Sequence, residues 1–94
     1  MRELATLTLA DFSPLLGETF RMAGDGDGPL EVELVEVTEL PREPGGRAPV
    51  SLVFRGGPTP PLPQRIYRVE HAALGTIEIF LVPIAADRYE AVFT

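Results

Sequence analysis

The stretch that decides the fold is LEVELVEVTEL, which runs from Leu30 to Leu40. Apolar residues alternate with glutamates as far as Leu34, and from Val35 onward the alternation continues in the opposite phase. Successive side chains of a β-strand point to opposite faces, so a change of phase needs an inserted residue or a sharp twist. The stretch therefore predicts a β-strand that carries a β-bulge near Leu34 and Val35.

Segments on both sides of this strand also have the composition of β-strands, and loops rich in proline and glycine separate them. These segments are Thr19 to Met22, Val50 to Phe54, Arg65 to His71, Gly75 to Ile84 and Arg88 to Phe93. Upstream of them, Thr8 to Leu16 predicts two short helical turns, with Thr8 and Asp11 as the cap and an inner face shared by Leu9, Phe12, Leu15 and Leu16. We expect a mainly β protein, a small antiparallel barrel or sandwich of about six strands with a short N-terminal helical segment.

The composition limits the classes of protein to which the chain can belong. Its 94 residues predict a single domain over positions 1–94, and they include no cysteine. The net charge is -6, and the excess lies in residues 1–49, with ten acids and four arginines against four of each in residues 50–94. An acidic chain repels phosphate groups, so we expect no nucleic-acid partner. No segment predicts a secretion signal or a membrane span, so we expect a cytoplasmic protein with no membrane partner.

Several separated segments carry a family resemblance. They are Leu9 to Gly17 (LADFSPLLG), Ser51 to Gly56 (SLVFRG), Tyr67 to His71 (YRVEH), Phe80 to Ile84 (FLVPI) and Tyr89 to Phe93 (YEAVF). Together they resemble the bacterial family of uncharacterised proteins called DUF6916, from about Leu7 to Phe93. The resemblance implies a stand-alone bacterial domain without an assigned activity or catalytic residue. It also associates the chain, loosely, with phage-tail-like assemblies.

The segment from Gly75 to Ile84 is apolar on both faces of the predicted strand. Phe80, Val82 and Ile84 share one of these faces, and a strand of this kind is usually covered on both sides. If the three side chains are exposed, they mark an interface with a protein partner or with a second copy of the chain. If they are not, the N-terminal helical turns cover them. The sequence leaves both alternatives open.

Glutamates follow one another along the strand from Leu30 to Leu40. Glu31, Glu33 and Glu36 form a negative surface of the kind that attracts a basic protein partner. The alternative is a solvent face whose charges keep the sheet soluble and discourage aggregation. The sequence does not decide between these two interpretations.

His71 is the only histidine, and it shares a strand face with Tyr67. One hypothesis is a small-molecule pocket at a barrel end, near these two side chains and the prolines Pro60, Pro61 and Pro63, where His71 contacts a ligand or acts as a general base. The other is a structural histidine whose ring nitrogens bond the turn that follows it.

No motif supplies a nucleophile, a phosphate-binding loop or a set of metal ligands, so we expect no cofactor and no metal ion. The segment from Asp25 to Gly28 lacks the ligand spacing of a calcium loop and predicts a tight turn. The sequence favours an interaction or assembly module that works through a sheet surface over an enzyme. A small-molecule pocket is the alternative function.

Overall fold

The computed structural model describes residues 7–23, 30–41, 44–46, 48–57 and 62–93. The turn predicted over residues 24–29 lies outside them. In the described residues a short helix α1 (Leu9–Phe12) continues into a 3-10 helix (Ser13–Leu15) and precedes six strands. The strands are β1 (Thr19–Ala23), β2 (Leu30–Glu39), β3 (Val50–Gly56), β4 (Arg65–His71), β5 (Gly75–Ala85) and β6 (Arg88–Phe93). They close into an antiparallel barrel in the order β1-β2-β3-β6-β5-β4. The predicted mainly β fold is confirmed, and it takes the form of a barrel rather than a sandwich.

The bulge predicted in β2 is confirmed. Leu34 pairs with Phe54 and Glu36 pairs with Val53, which leaves Val35 as the extra residue of the ladder. Because of this residue, Leu34 and Val37 both pack against the core, although an odd number of positions separates them along the strand.

A second bulge lies in β5, where the alternation of residues does not predict one. Pro83 pairs with Tyr89 and Ala85 pairs with Arg88, so that Ile84 is the extra residue. A proline cannot donate a backbone hydrogen bond and is confined within sheets to edges and bulges. Pro83 therefore accounts for the position of this bulge.

Apolar side chains from all the strands fill the interior of the barrel. Ile77, Ile79 and Leu81 of β5 point inward, as their alternation predicts. Phe20 and Phe54 meet edge to face on the opposite wall, with ring centroids 5.3 Å apart. The inner faces of the strands thus form the core. On the outer face of β3, Ser51 and Val53 are also buried.

The helical segment closes one end of the barrel. The backbone N–H of Thr8 donates to the Asp11 carboxylate at 2.7 Å, as the capping pattern predicts, and Phe12 is buried with its ring 5.5 Å from that of Phe93. The expectation that Leu16 shares this inner face is wrong, because its side chain is 53% exposed. The reason is local: the 3-10 helix ends at Leu15, and the backbone at Leu16 is extended.

Candidate functional site

The outer face of β5 is apolar and open to solvent in its central part. Phe80 and Ile84 are each 50% exposed, while Val82 between them is partly buried. Of the two sequence alternatives, exposure holds for Phe80 and Ile84 and only in part for Val82, while the helical segment packs at the barrel end through Phe12. Leu81, between Phe80 and Val82, is completely buried, which shows how sharply the two faces of this strand differ.

The neighbouring strands extend the apolar surface on both sides of β5. Ile66 of β4 stands directly opposite Phe80 and is 63% exposed. On the other side of β5, Val82 pairs with Glu90 of β6. The same antiparallel register, continued by two residues, places the exposed Val92 opposite Phe80. We call Ile66, Phe80, Val82, Ile84 and Val92 the outer apolar patch. Residues that face each other across strands lie about 4.5–5.5 Å apart at their Cβ atoms, so the patch is continuous.

The exposed area of the outer apolar patch determines whether it can form the centre of a protein interface. A fully buried aromatic side chain removes about 150–250 Å² from water, so a half-exposed Phe80 offers on the order of 100 Å². Ile66, Ile84 and Val92 are exposed to the same degree and bring the patch to on the order of 300–400 Å². Apolar patches of roughly this size are the largest found on typical monomers and are often functional. The area is therefore sufficient for the centre of a protein interface.

The acidic strand lies on the other side of the barrel. In the closed order of strands, β2 is three strands away from β5 in both directions. Its glutamates also have neighbours of their own: Glu33 forms an ion pair with Arg55 at 2.7 Å, and Glu31 stands opposite Arg21. Glu36 accepts a hydrogen bond from the hydroxyl of Thr38 at 3.3 Å. The glutamates and the apolar patch thus form two separate surfaces.

Tyr67 belongs to the end of the barrel away from the helices. Its ring is completely buried, and its hydroxyl donates to the carbonyl oxygen of Pro63 at 2.5 Å. The hydroxyl of Tyr89, also buried, accepts the backbone N–H of Leu62 at 2.8 Å. Leu62 packs against the core, so the two tyrosines hold a segment of chain across this barrel end. Pro60 and Pro61, which the pocket hypothesis included, lie outside the described residues.

His71 lies at the opposite end of β4, beside the helical segment. Its Nδ1 accepts the backbone N–H of Ala73 at 2.9 Å, which is the contact with the following turn that a structural histidine was predicted to make. In the neutral ring the proton therefore sits on Nε2, which donates to the Glu18 carboxylate at 2.7 Å. The ring also stacks at a tilt on Phe20, with centroids 4.7 Å apart. Sequence reasoning missed Glu18, which is too distant along the chain for any local pattern to connect it with His71.

The structure does not bring Tyr67 and His71 together. They lie four residues apart on the inner face of β4, which places them about 13 Å apart by the rise of a strand. The core fills the space between them. An open depression of about 510 Å³ does lie on the outer surface beside His71, with Arg21, Glu31 and Thr76 among its lining residues. Tyr67 is not part of it.

The described residues hold no group of three or more histidine, aspartate or glutamate side chains placed to bind a metal ion. None of the helices in the described parts of the chain is long and apolar enough to cross a membrane.

One family model matches the chain. Its description is "Domain of unknown function (DUF6916)", and the match covers residues 7–93. No curated protein and no solved structure matches. The match includes α1 and all the described strands, together with the segments that carry the resemblance in the sequence. The chain belongs to the DUF6916 family.

Proposed function

We propose that the domain is an interaction and assembly module that binds a protein through the outer apolar patch. The observation that carries this proposal is the clustering of large exposed apolar side chains on three adjoining strands, β4, β5 and β6. Single exposed apolar residues are ordinary on protein surfaces, whereas a continuous group is not. Phe80 occupies the middle of the group, and buried aromatic residues at the centre of an interface contribute most of its binding energy.

The fold itself has no need of these side chains. The core of β5 is made by its inward residues, and threonine, which is polar and β-branched, would suit the outer face of a strand equally well. The charged residues on the rest of the outer wall, such as Arg68 and Glu78 in the next cross-strand row, are what solvent contact favours. The change from charged to apolar residues between neighbouring rows supports a role in binding.

The small-molecule pocket receives less support, and we do not propose it. The hydroxyl of Tyr67 and both ring nitrogens of His71 already have partners within the chain. The association with phage-tail-like assemblies rests on the family resemblance alone, and no described residue bears on it.

Site-specific photocrosslinking tests the proposal. A benzoylphenylalanine in place of Phe80 keeps an aromatic ring at the centre of the patch, and the same group in place of the exposed Glu31 on the opposite wall is the matched control. In cells of the source organism, we expect a covalent product heavier than the monomer from position 80 and none from position 31. Equal yields from both positions, or no product from position 80, would overturn the proposal.

The partner identified by crosslinking is then purified, and its binding to the domain should depend on Phe80. We expect Phe80→Asp to weaken its affinity by about 30-fold or more, the loss that accompanies removal of a central aromatic anchor. A purified partner that binds Phe80→Asp as tightly as the wild type would show that the crosslink reported proximity only.

A further inference from the structure

We infer that the protein bound on the outer apolar patch is a second copy of this chain, in a two-fold symmetric dimer with Phe80 near the axis. This inference rests on the proposed function and names its partner. In such a dimer the same surface is used twice, so each copy must present a surface that complements itself in shape, area and charge.

The distribution of charge over the barrel favours a second copy. The chain has a net charge of -6, yet residues 50–94, which include β4, β5 and β6, carry four acids and four arginines. The acidic excess lies in the first half of the sequence, and its glutamate-rich strand β2 is on the far wall of the barrel. Two copies that meet patch to patch therefore keep their acidic strands on the outside of the dimer.

The separation of those strands can be estimated. The shortest principal extent of the chain is 23 Å, so two copies stacked along this direction place the two β2 strands on the order of 40 Å apart. Salt at physiological concentration screens charges over about 8 Å, so repulsion between the acidic strands is negligible at this distance. The same net charge would oppose any dimer that brought the β2 walls together.

The area of the patch also fits a dimer of modest strength. A protein interface at the small end of the specific range covers about 600 Å² on each partner, of which about 350 Å² is apolar. The outer apolar patch offers on the order of 300–400 Å². We therefore expect a reversible dimer with a dissociation constant on the order of 1–100 μM.

The charges beside the patch provide the complementary contacts. Arg68 lies on β4, two residues from Ile66 toward the helical end, and Glu90 lies on β6, two residues from Val92 toward the other end. They occupy diagonally opposite corners around Phe80, and neither forms an ion pair with another described residue. Arg68 stands opposite Glu78 across the strands, and one oxygen of the Glu90 carboxylate accepts a hydrogen bond from the Ser51 hydroxyl at 3.2 Å, so the contact with a partner falls to the other oxygen. Because the wall curves away on both sides of β5, long side chains of this kind are the ones that reach a partner at the edges.

Consider a two-fold axis in the plane of the interface, along the diagonal that does not join Arg68 and Glu90. Rotation about this axis exchanges the positions of these two residues. It places Arg68 of each copy against the partner's Glu90, and it forms this pair twice. A protein other than a second copy would have no reason to require both residues in this reciprocal way. The pairing of Arg68 with Glu90 is therefore the specific signature of the inferred dimer.

Charge reversal at the two corners tests this arrangement. The dissociation constant of the dimer is measured by sedimentation for the wild type, Arg68→Glu, Glu90→Arg and the double variant. Each single reversal is expected to weaken the dimer by about 10-fold or more, since it opposes like charges twice, and the double variant is expected to return to within about 3-fold of the wild type. Phe80→Asp, with an unchanged circular dichroism spectrum, is expected to abolish the dimer.

The outcomes separate the inference from the proposed function. A wild-type chain that is monomeric at about 1 mM, yet crosslinks from position 80 to another protein, overturns the second copy and leaves the interaction module standing. A monomer without any such crosslink overturns both. A dimer that survives Phe80→Asp, or a double variant no tighter than the single reversals, shows that the copies meet in another way.

Discussion

Adjacent residues on β5 should respond to mutation in opposite ways. Leu81 is completely buried, so Leu81→Ala removes core methyl groups and is expected to lower the free energy of unfolding by about 2–5 kcal/mol. Phe80 is half exposed, and its cross-strand neighbours are Ile66 and Val92, so Phe80→Thr is expected to cost only about 0.2–1 kcal/mol for each of these two pairs. Threonine keeps the preference for a strand, which isolates the effect of the lost ring. Against a total stability of about 5–15 kcal/mol, the first change is severe and the second is minor.

Urea unfolding followed by circular dichroism measures both values. The protein concentration must lie below the dissociation constant of the dimer, because association would add its own stability to the folded state. The slope against urea concentration should be the same for both variants and the wild type, so that only the midpoint moves. A loss of 2 kcal/mol or more for Phe80→Thr would show that Phe80 belongs to the core, and the reasoning about the outer face would fail.

Five further substitutions, at four positions, test individual contacts of the barrel. Gly56→Ala should lower the free energy of unfolding by about 2–3 kcal/mol, since φ is +138° and a Cβ would lie 2.9 Å from the carbonyl oxygen of Glu31. Gly75→Ala is the matched control: φ is +76° and a Cβ would have nothing within 4 Å, so it should cost only about 1 kcal/mol. Tyr89→Phe should cost about 1–3 kcal/mol, because it leaves the N–H of Leu62 without its acceptor. His71→Ala should cost more than His71→Asn, because asparagine can still accept the N–H two residues ahead. Urea unfolding measures each of these values.

Each of these predictions has a result that contradicts it. Equal losses for Gly56→Ala and Gly75→Ala would show that the close approach of the β2 backbone is unimportant. A Tyr89→Phe variant as stable as the wild type would mean that Leu62 does not depend on the tyrosine hydroxyl. If His71→Asn is no more stable than His71→Ala, the bond to Ala73 contributes little, and the hydrogen bond to Glu18 would account for the role of the histidine.

The sequence is most informative where a structural feature is local. The phase change at Leu34 and Val35 locates a bulge because the alternation of a strand has a fixed period of two, and one extra residue is the only simple way to reverse it. The inward set Ile77, Ile79 and Leu81 follows from the same period. Closure into a barrel cannot be read in this way, since it depends on pairing between β1 and β4, which are distant along the chain.

The candidate site shows the limit of the same reasoning. Alternation places Phe80, Val82 and Ile84 on one face, but it does not say whether another element covers that face. The answer depends on the helical segment, which lies over the barrel end and directs Phe12 inward while Leu16 points to solvent. The bulge at Ile84 also escapes prediction, because its residues are apolar on both faces and show no change of phase.

Contacts between distant segments are the other part that local patterns miss. Glu18 and His71 are joined only because β1 pairs with β4, and Tyr89 bonds Leu62 although 27 residues separate them along the chain. The ion pair between Glu33 and Arg55 likewise depends on the register of β2 and β3. Such pairs follow from the register once it is known, and a single sequence does not supply that register.

The most direct test of the account is the molar mass of the wild-type chain in solution. Light scattering across a size-exclusion peak, at micromolar and higher concentrations and at about 0.15 M and 1 M salt, reports this mass. We predict that it rises with concentration toward twice that of one chain, that high salt does not dissociate the dimer because its centre is apolar, and that Phe80→Asp stays monomeric. A wild-type chain that remains monomeric under all these conditions would contradict the second copy as the partner of the outer apolar patch.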